Sequence, residues 1–309
     1  MRQLRYRIFH HRYRTKWLLL LNSLLAIWLW LGWINFAPST ANTGLKEVQY
    51  QTIERSHSTI HTVTIPFDSN YVVSPRISGE LKPITDFREF NQDAIIAGIN
   101  GGYFDPVNQK TTSFVVQGDR IVADPRFNER LVDNPDLKVY LGKIFNRGEF
   151  RYYDCQGQKQ YDIQPHSAPI PNNCTLKASL AAGPQLLPRD TSEPEAFIAY
   201  DENGTIIRDA IGSQSLNARS GIGITATGDI ILAMAAQQPQ QPTNSGVTLS
   251  ELAEVLTNLG AVKAMNLDGG SSASMFYGDR VIYGRVDNTG QKIQRPIKSV
   301  LLVQKTAQL

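Results

Sequence analysis

Apolar and polar positions divide the chain into one long apolar block followed by many short ones. Trp17 to Phe36 is an uncharged run of twenty residues. At about 1.5 Å per residue, a helix of that length spans about 30 Å, the thickness of a hydrocarbon bilayer core. Beyond it the apolar runs are brief and bounded by Gly, Asn, Asp and Pro, which is the signature of strands. His61 to Pro66 alternates with period two, Tyr71-Val72-Val73 follows an Asp68-Ser69-Asn70 turn, and Ala94 to Ile99 reads as a buried strand. Asn217 to Thr225 and Ile230 to Ala235 predict a hairpin turning through Ala226-Thr227-Gly228-Asp229. Short strands and turns are expected from Thr112 to Phe150, and Thr85 to Phe90 reads as a short helix. The Gly183-Pro184 pair predicts a fixed kink within the run Ala178 to Leu187, and Arg280–Tyr283 and Ile297–Val303 read as closing strands. One longer helix is well marked. Thr248-Leu249-Ser250-Glu251 is a capping box, Leu249, Leu252, Ala253, Leu256 and Leu259 form a stripe, and Gly260 supplies the stop.

Charge sharpens the reading of the first block. Of 31 Lys and Arg, six (Arg2, Arg5, Arg7, Arg12, Arg14 and Lys16) fall within the first sixteen residues, which hold no acid, so the remaining bases are outnumbered by the 28 Asp and Glu. The basic balance is therefore local, and the body is not a nucleic-acid binder on charge grounds. A basic leader before an apolar span with four tryptophans predicts a signal anchor that leaves the C-terminal body across the membrane, periplasmic or lumenal. The expected plan is a basic cytoplasmic tail at 1–16, a transmembrane helix at 17–36, a linker at 37–46 and one body at 47–309. Ser39-Thr40-Ala41 resembles a small-x-small cleavage site, so a cleaved, secreted form is the alternative. The two cysteines, Cys155 and Cys174, are expected to form a disulfide in such a body, with a pair of free thiols as the alternative. His57 and His61 read as surface residues at the start of a strand.

The most chemical stretch is Gly260 to Met275. A short apolar strand there delivers Asn266 and Asp268, two residues apart and so on one face, into Gly269-Gly270-Ser271-Ser272. Paired glycines turn sharply and expose N–H groups, and the serines add hydroxyls, so the segment is suited to an anion or a sugar beside a carboxylate. An ordinary Asp-Gly strand-ending turn is the alternative. Ile99-Asn100-Gly101-Gly102 repeats the pattern. Asn100 is suited to sugar hydroxyls, or else is a turn residue, and Asp105 offers a second carboxylate. Arg219, at the mouth of a small-residue strand, is placed to grip a phosphate or to form a structural salt bridge. No cofactor is required; a divalent cation on Asp268 and Asp105 is compatible with the pattern.

Taken together, Ile99 to Asp105, Ala182 to Leu187, Ala218 to Gly223, Gly246 to Leu249 and Asn266 to Ser272 resemble the phosphodiester glycosidase family, which includes the lysosomal uncovering enzyme. The five blocks fall in the family's order across about residues 60 to 305. Ser220-Gly221 and Ser271-Ser272 depart from its commoner Thr-Ala and glycine. The resemblance implies an α+β fold, read here as mixed, mainly antiparallel sheets with few helices, and hydrolysis of a sugar-1-phosphodiester. It also implies a pocket lined by Asn100, Gly101, Gly102, Arg219, Asp268, Gly269 and Gly270. Within it Asp268 is expected as nucleophile or general base, Arg219 on the phosphate, and the Gly269-Gly270-Ser271 N–H groups as an anion nest. Bacterial members are often associated with exported polysaccharide, which points to an exported or cell-envelope glycan as substrate. A non-catalytic glycan-binding module of a polysaccharide biosynthesis or export system is the competing class.

Overall fold

Strand β14 (Ile230–Ala236) shows why this chain is built of sheets with both faces covered. All seven of its residues are buried. Ile230, Leu232, Met234 and Ala236 enter one hydrophobic core, while Ile231, Ala233 and Ala235 enter another. A strand buried on both sides reads as a continuous apolar run rather than an alternation. The computed structural model describes residues 46–89 and 94–306. The expected tail 1–16, membrane helix 17–36 and nearly all of the linker 37–46 lie outside the described residues. Among those described, no helix is long and apolar enough to cross a membrane.

In chain order the strands are β1 (Gln49–Arg55), β2 (Ser58–Ile65), β3 (Tyr71–Lys82), β4 (Ile95–Asn100), β5 (Val115–Gln117), β6 (Arg120–Ala123), β7 (Gly148–Cys155), β8 (Gln158–Pro165) and β9 (Cys174–Ala181). They continue as β10 (Gln185–Leu187), β11 (Ile198–Tyr200), β12 (Ile206–Asp209), β13 (Arg219–Thr225), β14, β15 (Ala261–Asn266), β16 (Ser274–Tyr277), β17 (Arg280–Tyr283) and β18 (Ile297–Lys305). Three sheets dominate, ordered β1-β2-β14-β13-β15-β10, β17-β16-β4-β18-β3 and β6-β5-β9-β7-β8, with β11 and β12 paired separately. Their pairings are antiparallel. All three contribute to the largest core, for example through Leu232, Ile99 and Phe150. The expected α+β architecture of mainly antiparallel sheets with few helices is what these residues form.

Between β6 and β7 the expectation of strands and turns fails. The segment holds 3-10 turns at Pro125–Phe127 and Pro135–Tyr140 and the short helices α1 (Glu129–Val132) and α2 (Leu141–Ile144). The reason is capping chemistry. Asp124 and Asn134 accept hydrogen bonds from the N–H groups of Arg126 and Asp136, and a proline follows each at the first turn position. The Thr85–Phe90 helix is a 3-10 turn over Ile84–Arg88. Cys155 and Cys174 face each other across β7 and β9 and are disulfide-bonded.

The long helix, α3 (Leu249–Asn258), carries its expected capping box: Thr248 Oγ1 accepts from Glu251 N and Glu251 Oε2 accepts from Thr248 N. Its apolar face, with Leu252 and Leu256, lies on β13 where the side chains are missing. A Cβ on Gly221 or Gly223 meets Leu252 or Leu256 at 3.2–3.3 Å, and one on Gly223 meets Ala261 Cβ at 2.8 Å. Gly223→Ala is therefore expected to lower stability by about 1–3 kcal/mol through overpacking. Gly79→Ala, where a Cβ meets nothing within 4 Å, is expected to be neutral or slightly stabilising. Urea unfolding of the two variants checks the contrast.

Candidate active site

The ends of β4 and β15 meet although 168 positions separate Asn100 from Asp268. The join is a set of specific hydrogen bonds. Asn100 Nδ2 donates to the Asp268 carbonyl at 2.6 Å, and Asn100 Oδ1 accepts from Ser220 Oγ at 2.6 Å and from Ser274 N at 3.1 Å. Asp268 N donates to Gly101 O at 3.0 Å, and Leu267 N to Ser220 O at 2.8 Å. Asn100 is 1 % exposed, so its amide fixes the main chain of Asp268 from inside the protein.

Asp268 is half-buried as a residue, and burial of its carboxyl pushes it up to about 6 from an ordinary 3.8. Protein packed around a carboxylate leaves its charge poorly solvated and so favours the protonated form. Opposing that rise are the Ser272 hydroxyl, the Arg295 guanidinium and the Gly269 N–H. Ser272 Oγ is buried and has no other hydrogen-bond partner among the described residues. The Tyr103 phenol is driven above its ordinary range by burial and by the nearby Asp268 charge. It stays protonated, donating to Gly183 O at 2.8 Å and accepting from Asn266 Nδ2 at 2.7 Å. Gly183 must be glycine, because with φ +92° any Cβ there collides with the Glu195 carboxylate. That carboxylate accepts from Gly148 N and Gln185 N, both at 2.9 Å, and so fixes the kink whose carbonyl holds Tyr103.

Several expected residues take other roles. Arg219 is 2 % exposed and its guanidinium serves the main chain. It donates to Val247 O at 3.2 Å, Ile211 O at 3.0 Å, Ser215 O at 3.1 Å and Gly212 O. Among the described residues it makes no salt bridge, and these bonds make it a clamp on the loop before β13. Asp105 pairs with Arg130 at 2.7 Å and accepts from Val107 N, and these bonds outweigh burial to hold its carboxyl below the usual range. It is therefore not drawn towards Asp268. Gly101 and Gly102 are buried, and a Cβ on either collides with protein: Ser299 for Gly101, and Ala181 O and Ser113 for Gly102. Close strand packing, not ligand approach, requires their lack of side chains. The anticipated nest is partly occupied, since Gly270 N donates to Ala218 O at 2.7 Å and Gly269 N faces the Asp268 carboxylate. Asn266 is buried beside Tyr103 with its Oδ1 unpartnered, and Ser271 and Ser272 stay at the site.

The cation next to Asp268, Arg295, and a second at the adjoining Gly270, Arg285, come from one segment without a sequence motif. Arg295 Nη1 donates to Ser271 Oγ at 2.9 Å, its guanidinium lying over the Phe104 ring with 5.0 Å to the centroid. Arg285 Nη1 lies 3.3 Å from where a Gly270 Cβ would stand, and the Asn217 side chain approaches the same point. Both arginines lie in the irregular stretch between β17 and β18, which no spacing marks. Tyr103 falls within the stretch Ile99 to Asp105, but its part in the site is a property of the fold. Among the described residues no group of three or more His, Cys, Asp and Glu could hold a metal ion.

Residues 93–304 match the family model of the phosphodiester glycosidases. No curated protein matches the chain. A hypothetical protein from Synechocystis is 17 % identical with a TM-score of 0.52, over 84 % of this chain and 62 % of that one, so the chain spans less than two thirds of that protein. The zebrafish N-acetylglucosamine-1-phosphodiester alpha-N-acetylglucosaminidase catalytic domain, auto-inhibited by its pro-peptide, is 14 % identical with a TM-score of 0.59 over 86 % and 85 %. A putative exported protein from Burkholderia pseudomallei K96243 is 14 % identical with a TM-score of 0.57 over 80 % and 74 %. At these identities the likenesses establish the fold.

The raised Asp268 value has a consequence for stability. Its folded value, about 6, lies above its ordinary 3.8, so the stability linked to its proton is complete below about pH 3.8 and lost as pH rises through about 6. Asp268→Asn, which carries no charge, is expected to melt above the natural protein at pH 7 and level with it near pH 4. Paired thermal melts at the two pH values check this; equal melting at pH 7 contradicts it.

Proposed function

The chain belongs to the phosphodiester glycosidase family, and from that premise we propose that it hydrolyses a glycosyl phosphodiester at the pocket around Asp268. The observation that carries the proposal is the placement of one poorly solvated carboxylate beside Arg295, which bonds Ser271, with a second arginine, Arg285, at the adjoining Gly270. The bond from the anomeric carbon to the phosphate oxygen breaks, a hydroxyl from water joins the carbon, and the aglycone leaves as a phosphate monoester. Asp268, ionised above about pH 6, attacks the anomeric carbon or takes the proton of the attacking water. Arg285 and Arg295 offset the charge gathering on the phosphate, a role that the fold leaves open by committing Arg219 elsewhere. A phosphate leaves as a stable anion, so the site does not need a strong general acid. The reaction as written uses no cofactor. The setting we propose is an exported or cell-envelope glycan, with the body held outside the cytoplasm by residues 17–36; the Cys155–Cys174 bond supports an oxidising compartment.

The full-length chain in detergent, incubated with a panel of sugar-1-phosphodiesters, is expected to release reducing sugar, with or without a chelator. Asp268→Asn is expected to lower kcat/KM by about 10³-fold, and Arg295→Gln by about 10²-fold. In the natural protein kcat/KM is expected to fall about tenfold per pH unit below about 6, as the carboxylate takes up its proton. Retention of an unchanged ligand, with Arg295→Gln weakening only its affinity, contradicts hydrolysis and supports a glycan-binding module.

A further inference from the structure

The ladder between β3 and β18 opens at one place. Ile297 pairs with Lys82 but Ser299 pairs with Ile77, so Ser78 to Leu81 of β3 face the single residue Lys298 of β18. A bulge of this kind re-aims the side chain it carries. It borders a cavity of about 400 Å³ lined by Ile77, Thr111, Val122, Asp124, Phe127 and Lys298, among others. A Cβ added to Gly79, also in the lining, meets nothing within 4 Å, so the space is open there.

The lining is chemically unusual in two respects. Lys298 is 8 % exposed, yet its Nζ bonds only the Gly79 carbonyl, at 2.7 Å, and has no carboxylate partner among the described residues. The ammonium itself is only part-buried, so it is held by one carbonyl and remains able to take an anionic partner. The other cation in the lining, Lys110, is already bound to Glu129 and to Phe127 O. Phe127, by contrast, leaves 77 % of its surface exposed, a ring face without protein cover. Asp124 adds an acceptor that Arg126 holds ionised, below its ordinary value.

From this cavity we infer a second binding site, separate from Asp268, that takes one acidic sugar residue. The Lys298 ammonium meets its carboxylate or phosphate, the Phe127 ring stacks on its apolar face, and Asp124 accepts from its hydroxyls. The volume suits a single monosaccharide unit. The inference does not rest on hydrolysis at Asp268, since a glycan-binding module would use the same site.

Saturation-transfer NMR on the full-length chain tests it, with glucuronate, glucose 6-phosphate and glucose observed directly and inorganic phosphate read by its competition with the acidic sugar. Binding of glucuronate or glucose 6-phosphate at millimolar concentration is expected, and the preferred one identifies the acidic group. Glucose and inorganic phosphate are each expected to bind at least tenfold more weakly. Lys298→Met is expected to weaken the acidic sugar at least tenfold, and Phe127→Ala about threefold. Gly79→Leu, which adds a bulky side chain to the lining away from Asp268, is expected to abolish binding and keeps the test valid should Lys298→Met not fold. Asp268→Asn is expected to leave this binding unchanged, so a failure of hydrolysis does not count against the site. Equal binding of inorganic phosphate, or acidic-sugar binding that survives Gly79→Leu and Phe127→Ala, overturns the proposal.

Discussion

The Asn100 amide is the contact on which the arrangement of the pocket depends. It lies at the end of β4, in the sheet that also contains β16, and accepts from Ser274 of β16 and from Ser220 of β13 in the neighbouring sheet. Its own N–H group holds the Asp268 carbonyl. One buried side chain thereby fixes the separation of two sheets and the position of the carboxylate between them. An apolar side chain of similar size would leave a hydroxyl, an N–H and a carbonyl without their partner, and each buried orphan costs about 1–3 kcal/mol. Asparagine is suited to this position because its amide both donates and accepts.

Around that tie, the fold is arranged so that backbone can approach backbone. Gly101 and Gly102 press against β18 and the β5–β9 region, Gly221 and Gly223 receive α3, and Gly183 makes room for Glu195. Arg219 secures the loop before β13 by bonding its carbonyls. These contacts stabilise the walls, while Asp268 opposes folding at neutral pH because its charge is poorly solvated. A destabilised carboxylate within a rigid frame is the relation between stability and activity that the proposed role of Asp268 calls for.

Much of the frame was legible in the sequence. The capping box and Gly260 bounded α3, the Ala226-Thr227-Gly228-Asp229 turn marked the β13–β14 hairpin, and the Gly-Gly repeat marked the two strand ends that meet. The segment from Asp124 to Tyr140 was misread because its Asp-Pro and Asn-Pro signals start helical turns as readily as they end strands. The roles within the site were less legible. A sequence shows that Arg219 is a cation but not that four carbonyls surround it, and it shows glycines but not whether a ligand or a strand lies against them. Arg285 and Arg295 could not be singled out, since only the closing of β17 and β18 on either side of their loop carries them to Gly270 and Ser271.

The account turns on the electrostatic state of Asp268. NMR titration of its side-chain carboxyl carbon in the natural protein, assigned by its absence in Asp268→Asn, measures that state directly. An apparent value near 6 is expected; a value near 3.8, that of a solvated carboxylate, contradicts the placement of Asp268 in a desolvated catalytic pocket.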